Sequence, residues 1–203
     1  MLGPVETDLD RSIAELHSAR LRLRDWRSAD LPLFAALNAD PRVMEHFPQV
    51  LSREQSNLLA ERIVSQLRSQ GWGLWAAEIT ATDTFMGFVG LNRPPFQADF
   101  TPAVEVGWRL AHQYWGCGYA TEAARTALGF GFESLGLAEI VSFTSVDNQR
   151  SRRVMEKLGM RHHLEDDFDH PGLPEGHRLR RHALYRLTSA EFRVWSRARS
   201  DHD

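Results

Sequence analysis

Hydrophobic patterning along the chain is sparse at first and then becomes regular. Residues 1 to about 17 carry no sustained period beyond a short helical possibility at Leu9 to Leu16, and they read as a poorly ordered arm. Leu21 and Leu23, with Trp26 just beyond, alternate with Arg22, Arg24 and Asp25, the pattern of a half-buried strand. Ser28-Ala29-Asp30 offers a helix start, and Leu31, Leu33, Phe34 and Leu37 supply its apolar face as far as Asn38. Asp40-Pro41 closes that helix, and Arg42 to Phe47 allow one more turn. A longer helix starts at Ser52, where Ser-Arg-Glu-Gln has the form of a capping box. Leu58, Leu59, Arg62, Ile63, Gln66 and Leu67 fall on one predicted stripe, and Gly71 ends the run.

The second half changes period. Trp72 to Ile79 and Phe85 to Leu91 read as strands joined across the polar stretch Thr80 to Thr84. Asn92 to Pro102 is a loop with three prolines and two phenylalanines, and Ala103 to Leu110 is the next strand. A glycine-bearing loop leads to a helix from Ala120 to Leu135, stopped by Gly136. Ile140, Val141, Phe143 and Val146 form a strand apolar on both faces, and Asn148 caps a helix that ends at Gly159. Met160 to Leu164 and His182 to Leu187 are further strands, with an acidic loop over Glu165 to Gly176 between them and a terminal helix from Ser189 to about Ala198. This order predicts an α+β fold with a mixed sheet. It also predicts one domain over residues 18–198, with an arm at 1–17 and a tail at 199–203.

Composition narrows the function classes. The 203 residues are 42% hydrophobic and 25% charged, with 24 basic against 27 acidic residues and a net charge of -3. That balance gives no general attraction to nucleic acid. No apolar segment approaches the roughly 20 residues needed to span a bilayer, so the expectation is a cytoplasmic protein with no membrane partner. Cys117 is the only cysteine, which excludes an intramolecular disulfide and suits a small filler between two glycines. The nine histidines show no recognised ligand spacing, and no metal is expected.

The chemistry concentrates in Gln113-Tyr114-Trp115-Gly116-Cys117-Gly118-Tyr119-Ala120, between the strand ending at Leu110 and the helix. The free amides of such a loop and of the first helical turn converge on an anion, with the positive end of the helix dipole behind them. Gln-x-x-Gly-x-Gly in this setting resembles the pyrophosphate-binding motif of the GCN5-related N-acetyltransferases. A second stretch, Asn148 to Met160, is similar to the family's later signature of an asparagine followed by a helix ending Glu-Lys-x-Gly. Tyr-Trp-Gly-x-Gly-Tyr-Ala-Thr-Glu-Ala at 114–123, and the opening Leu21-Arg22-Leu23-Arg24, resemble the RimJ/RimL-like branch. Coverage runs over roughly residues 20–190.

The resemblance implies a three-layer α/β/α fold whose mixed, mostly antiparallel sheet splays between its fourth and fifth strands. Acetyl-CoA would be the acyl donor. Backbone of Val106, Gly107, Trp108, Arg109 and Leu110 would pair with the pantetheine arm, and an N–H near Val106 or Gly107 would face the thioester oxygen. Gln113 and the amides of Trp115, Gly116, Cys117, Gly118, Tyr119 and Ala120 would hold the pyrophosphate. Asn148 and Ser151 would lie along the coenzyme, with Arg152 or Arg153 near the 3′-phosphate. Glu105 is the candidate general base. The tyrosine common in relatives as general acid is replaced by Met155, so Ser151 is the candidate donor. Glu45, His46, Phe47 and Trp72, with Glu105, would touch the acceptor.

The implied reaction is direct attack of a primary amine on the thioester, without a covalent enzyme intermediate. The acceptor would be a cationic small molecule or peptide amine, or a protein amino terminus. The carboxylates of Asp166, Asp167 and Asp169 could attract it, the alternative being that they are solvated loop charges. A catalytically silent acyl-CoA sensor or interaction module is the alternative, and a monomer or homodimer is expected in either case.

Overall fold

The computed structural model describes residues 12–200. The chain runs through β1 (Leu16–His17), β2 (Leu21–Arg24), α1 (Asp30–Ala39), α2 (Arg53–Gln70), β3 (Leu74–Ile79), β4 (Thr84–Asn92) and β5 (Glu105–Leu110). It continues with α3 (Tyr119–Gly129), β6 (Glu139–Ser145), α4 (Gln149–Lys157), β7 (Arg161–His162), β8 (Phe168–Asp169), β9 (Arg181–Thr188) and α5 (Ser189–Ser200). The described strands form one sheet in the order β1-β2-β3-β4-β5-β6-β9-β7, with β8 also paired to β9. All registered pairs are antiparallel except β5 with β6.

Several sequence expectations need adjusting. Residues 1–11 of the expected arm lie outside the described residues, but Leu16–His17 form an edge strand on β2. Ala14 ties that edge down further, donating to the Gly71 carbonyl (3.0 Å) and accepting from the Trp75 indole (2.7 Å). The additional strand makes the splayed pair the fifth and sixth rather than the fourth and fifth. On α2 the capping box at Ser52 forms, but the buried stripe is Ser56, Ala60, Ile63 and Leu67. Leu58 is 58% exposed and Arg62 and Gln66 face solvent, because α1 packs one position around the helix from the stripe that hydrophobicity suggests. The helix expected to reach Leu135 changes at Phe130 to one π-helical turn, Phe130–Ser134. The 160–164 strand shortens to β7, and the acidic loop contributes β8.

The main core lies on both faces of β2 to β5. Trp75, fully buried, meets Phe130 edge-on beneath the α3 side, while Phe34 of α1 meets Trp26 and Phe88 on the other. Charge is buried too. Glu78, 0% exposed, accepts from Arg22, Arg24 and Arg27, and Arg24 also pairs with Asp30 at the start of α1. Burial alone would raise the Glu78 pKa, but the guanidinium hydrogen bonds hold it below the usual carboxylate range. No helix among the described residues is long and apolar enough to cross a membrane.

Candidate active site

The sheet opens where its two parallel strands meet. β5 is registered with β4 over its whole length, Glu105 to Leu110, but with β6 only at Glu105↔Val141. Val141 N–H donates to the Val104 carbonyl (2.9 Å) and the buried Ser142 hydroxyl to the Val106 carbonyl (2.8 Å). Backbone groups alternate sides along a strand, so the next polar edge toward β6 belongs to Trp108. Gly107, paired with Gly90, turns its amide to β4. The Leu110 carbonyl already accepts from the Trp115 indole (2.9 Å). Of the expected run Val106 to Leu110, the open edge is therefore concentrated at Trp108.

Beyond β5, residues 112–114 make one 3₁₀ turn and the chain reaches α3 through Gly116 (φ 77°) and Gly118 (φ 81°). Both are left-handed, a conformation that side chains with a Cβ resist. A Cβ at Gly116 would meet nothing within 4 Å, so the loop presents open backbone there. Gln113, Cys117 and both glycines are exposed, and α3 begins immediately behind them at Tyr119 and Ala120. Cradle and helix terminus together fit a pyrophosphate. A cavity of about 360 Å³ lined by Leu37, Asp40, Phe85, Met86, His112 and Gln113 also touches this loop, but Glu105 does not line it.

Arg20 lies outside the hydrophobic period of β2, and nothing in its local sequence marks its role. Its guanidinium pairs with Glu122 in the first turn of α3 (2.6 Å), donates to the Cys117 carbonyl (3.2 Å) and lies 4.6 Å from the Tyr119 ring centre. Ser18 and the Arg20 amide also donate to Glu122, each at 2.8 Å. The Leu-Arg-Leu-Arg opening drew notice for its alternation, while the arginine one position before it carries the long-range contact.

Across the opening, Asn148 Oδ1 accepts from the Ser151 amide (3.2 Å) at the start of α4, and its Nδ2 donates to Thr144 Oγ1 (2.9 Å) and Ser151 Oγ (3.2 Å). Asn148 thus orients the Ser151 hydroxyl, whose own proton has no acceptor among the described residues. Arg152 turns away, donating to Tyr185 Oη (3.2 Å) and the Val146 carbonyl (3.0 Å), while Arg153 is exposed. Met155, one turn on from Ser151, is buried in the core.

Glu105, Gly107 and Arg109 share the face of β5 turned toward α1, because Arg109 is registered beside Phe88, whose ring meets Phe34. Glu105 has no hydrogen bond or ion pair within the described chain, and burial pushes its carboxyl up to about 8. The loop between α1 and α2 roofs this face. Phe47 lies over Arg109 at 4.0 Å, and His46 Nδ1 meets Ser145 Oγ of β6 at 3.1 Å, so consecutive residues bridge the two splayed strands. Glu45 points outward to Arg150 (3.4 Å), and Trp72 sits under Arg93 beside Asn92, the register partner of Glu105.

The acidic loop is not free to attract an acceptor in the way its sequence suggests. Asp166 pairs with Arg186, Asp167 with His162, and Asp169 with Arg180 and Arg181. What that region brings to the site is aromatic. Phe96 and Phe100 of the loop before β5 meet Phe143 of β6 and Phe168 of β8, with His170 and His182 against them. Burial lowers both histidine pKa values, so the rings are neutral at pH 7. No periodicity marks Phe96 or Phe100; two aromatics in a proline-bearing loop were the only signal. Among the described residues, no group of three or more His, Cys, Asp or Glu is arranged for a metal ion.

A splayed parallel pair with a glycine anion cradle beside it defines a coenzyme A-dependent acyltransferase fold, and the comparisons bear on it directly. A family model described as an acetyltransferase (GNAT) domain matches residues 20–161. The chain belongs to this family, whose members transfer acetyl groups from acetyl-CoA to amines, and it is an N-acetyltransferase. It is 33% identical over 147 residues to YkkB of Bacillus subtilis (strain 168), covering 72% of this chain and 84% of that protein. It is 32% identical over 176 residues to an FsC-acetyl coenzyme A-N(2)-transacetylase of Aspergillus fumigatus, covering 79% and 72% respectively. A GNAT-family acetyltransferase from Bacillus anthracis superposes with a TM-score of 0.72 at 23% identity, over 87% of this chain and 99% of that one.

Proposed function

We propose that this N-acetyltransferase works by direct attack of a primary amine on the thioester of acetyl-CoA, with Glu105 as general base and Ser151 as proton donor to the departing sulfur. The observation that carries this reading is the unpaired Glu105 carboxyl, at the one registered point of β5 with β6 and on the roofed face. The amine nitrogen forms the new bond to the carbonyl carbon and the C–S bond breaks. The amine's proton passes to Glu105, directly or through a water, and is later released to solvent; the thiolate takes a proton through the Ser151 hydroxyl, which recovers one from water as it gives its own. An open β5 amide, Trp108 being the candidate, meets the developing oxyanion. Because coenzyme A thiolate is a fair leaving group, the hydroxyl of Ser151 suffices where relatives use a tyrosine.

The exposed backbone of Trp115 to Ala120 would receive the pyrophosphate, and Asn148 would position Ser151 beside the pantetheine. Acceptors enter under the roof formed by His46 and Phe47, with Trp72 near the Glu105 end. A small amine or a peptide amino terminus fits this opening, and the RimJ/RimL-like signatures favour the same class. The name of the Aspergillus relative, which puts its acetyl group on nitrogen, agrees. Release of free thiol from acetyl-CoA across an amine panel tests the reading. Amine-dependent thiol release is expected, whereas thermal stabilisation by acetyl-CoA with no thiol from any amine would make the chain an acyl-CoA sensor instead.

A further inference from the structure

A carboxyl group and a guanidinium on the roofed face of β5 lack ionic partners among the described residues. Arg109 lies flat against Phe47 at 4.0 Å, with Phe88 at 5.5 Å on its register neighbour. Among the described residues its only hydrogen bond is from Nη1 to the neutral Asn38 amide oxygen (2.6 Å), and its buried Nε has no acceptor. No carboxylate pairs with it among the described residues. A desolvated cation without a counter-charge is unfavourable, and such a group calls for a reason. Burial pushes its pKa down to about 10, which leaves it charged at neutral pH.

Glu105 is the complementary case, four residues back on the same face. Extended backbone puts the two Cα atoms about 13 Å apart. Between them stands Gly107, with no side chain, and Glu105 Oε1 leans over it, 3.7 Å from where a Cβ would be. The two charges form no ion pair with each other. A carboxyl group, an empty position and a guanidinium in a row, with Phe47 over the guanidinium end, make a slot with an acid at one end and a cation at the other.

We propose that the acceptor is a primary amine bearing a carboxylate within a few bonds of the nitrogen, of the amino-acid type. Its amino group meets Glu105 and its carboxylate meets Arg109, which Asn38 and Phe47 hold in position. This rests on the reaction proposed above, since it needs Glu105 to receive the amine.

The test uses the full chain, acetyl-CoA and matched probes: L-phenylalanine with 2-phenylethylamine, and L-lysine with cadaverine. For at least one pair, wild-type kcat/KM by thiol release should favour the carboxylate-bearing member at least tenfold. In Arg109→Gln that ratio should collapse to within threefold of unity, and Arg109→Lys should keep part of it. Thermal stabilisation by acetyl-CoA verifies that each variant folds. A wild-type ratio near one, or a ratio that survives in Arg109→Gln, overturns the proposal. If amines lacking a carboxylate react and amino acids do not, the slot fails while the reaction stands; if nothing in the panel reacts, both fail.

Discussion

A carboxyl group that meets neither a cation nor a hydrogen-bond donor binds its proton more tightly when desolvated, and Glu105 is raised to about 8 for that reason. The sign has two consequences. In the proposed role of base, Glu105 would act only when ionised, so log kcat/KM should climb with unit slope as pH rises toward about 8 and level off above it. As a partly desolvated acid, it is more easily protonated folded than unfolded, so its contribution to stability declines as pH rises from the ordinary carboxylate value to about 8. Glu105→Gln should lower turnover by about 10²-fold or more while acetyl-CoA still stabilises the protein. A pH–rate profile that kept its limb in the Gln variant would assign that limb to the amine rather than to Glu105. Ser151 is in a different position, because its amide caps α4 through Asn148 and its backbone role would survive loss of the hydroxyl.

At the scale of elements, the glycine loop works because several pieces hold it. The left-handed glycines expose backbone, α3 supplies the aligned amides, and Arg20 joins the strand edge to both through Glu122 and the Cys117 carbonyl. Burial alone would raise the Glu122 pKa, but the Ser18 hydroxyl, the Arg20 amide and the guanidinium hold it low, so it is an anion in the first turn of α3. Removing the guanidinium loosens the cradle without touching Glu105. Arg20→Ala is therefore expected to raise KM for acetyl-CoA about tenfold, the scale of one charge-assisted hydrogen bond, with a smaller effect on kcat. Steady-state titration of acetyl-CoA at saturating acceptor measures this, and an effect confined to kcat would contradict it.

At the scale of the whole molecule, the roofed face of β5 depends on α1 and its following loop staying docked on the sheet, and the charges buried at Glu78 hold that corner together. Three arginines converge on one inaccessible carboxylate, and one of them reaches Asp30 at the start of α1. Truncating the hub leaves three clustered guanidinium groups, with Arg24 buried and Asp30 as its one remaining carboxylate among the described residues, so Glu78→Ala should destabilise the fold by about 3 kcal/mol. The exposed Arg68–Asp25 pair should contribute well under about 1 kcal/mol. Urea midpoints for Glu78→Ala and Asp25→Ala compare the two, and similar losses would refute the ranking. Glu78 has a lowered pKa, so its stabilisation is present above the ordinary carboxylate value and fades as acid reaches its folded one.

Element order, the Ser52 capping box, the glycine cradle and Asn148 at the start of α4 were legible in the sequence, because each rests on contacts within a few residues or on a period that one face of an element imposes. Glu105 could be singled out for the same reason, as a carboxylate alternating with valines. What only the tertiary structure decided were pairings between distant segments: Arg20 on Glu122, Phe47 over Arg109, His46 on Ser145, and arginines and a histidine engaging the acidic loop. Net charge and spacing do not say which opposite charges meet, since that depends on which strands become neighbours. Hence the acidic loop, open in sequence to a cation or to solvent, is paired within the fold, while Arg109, unremarkable in sequence, has a neutral amide as its only hydrogen-bond partner among the described residues.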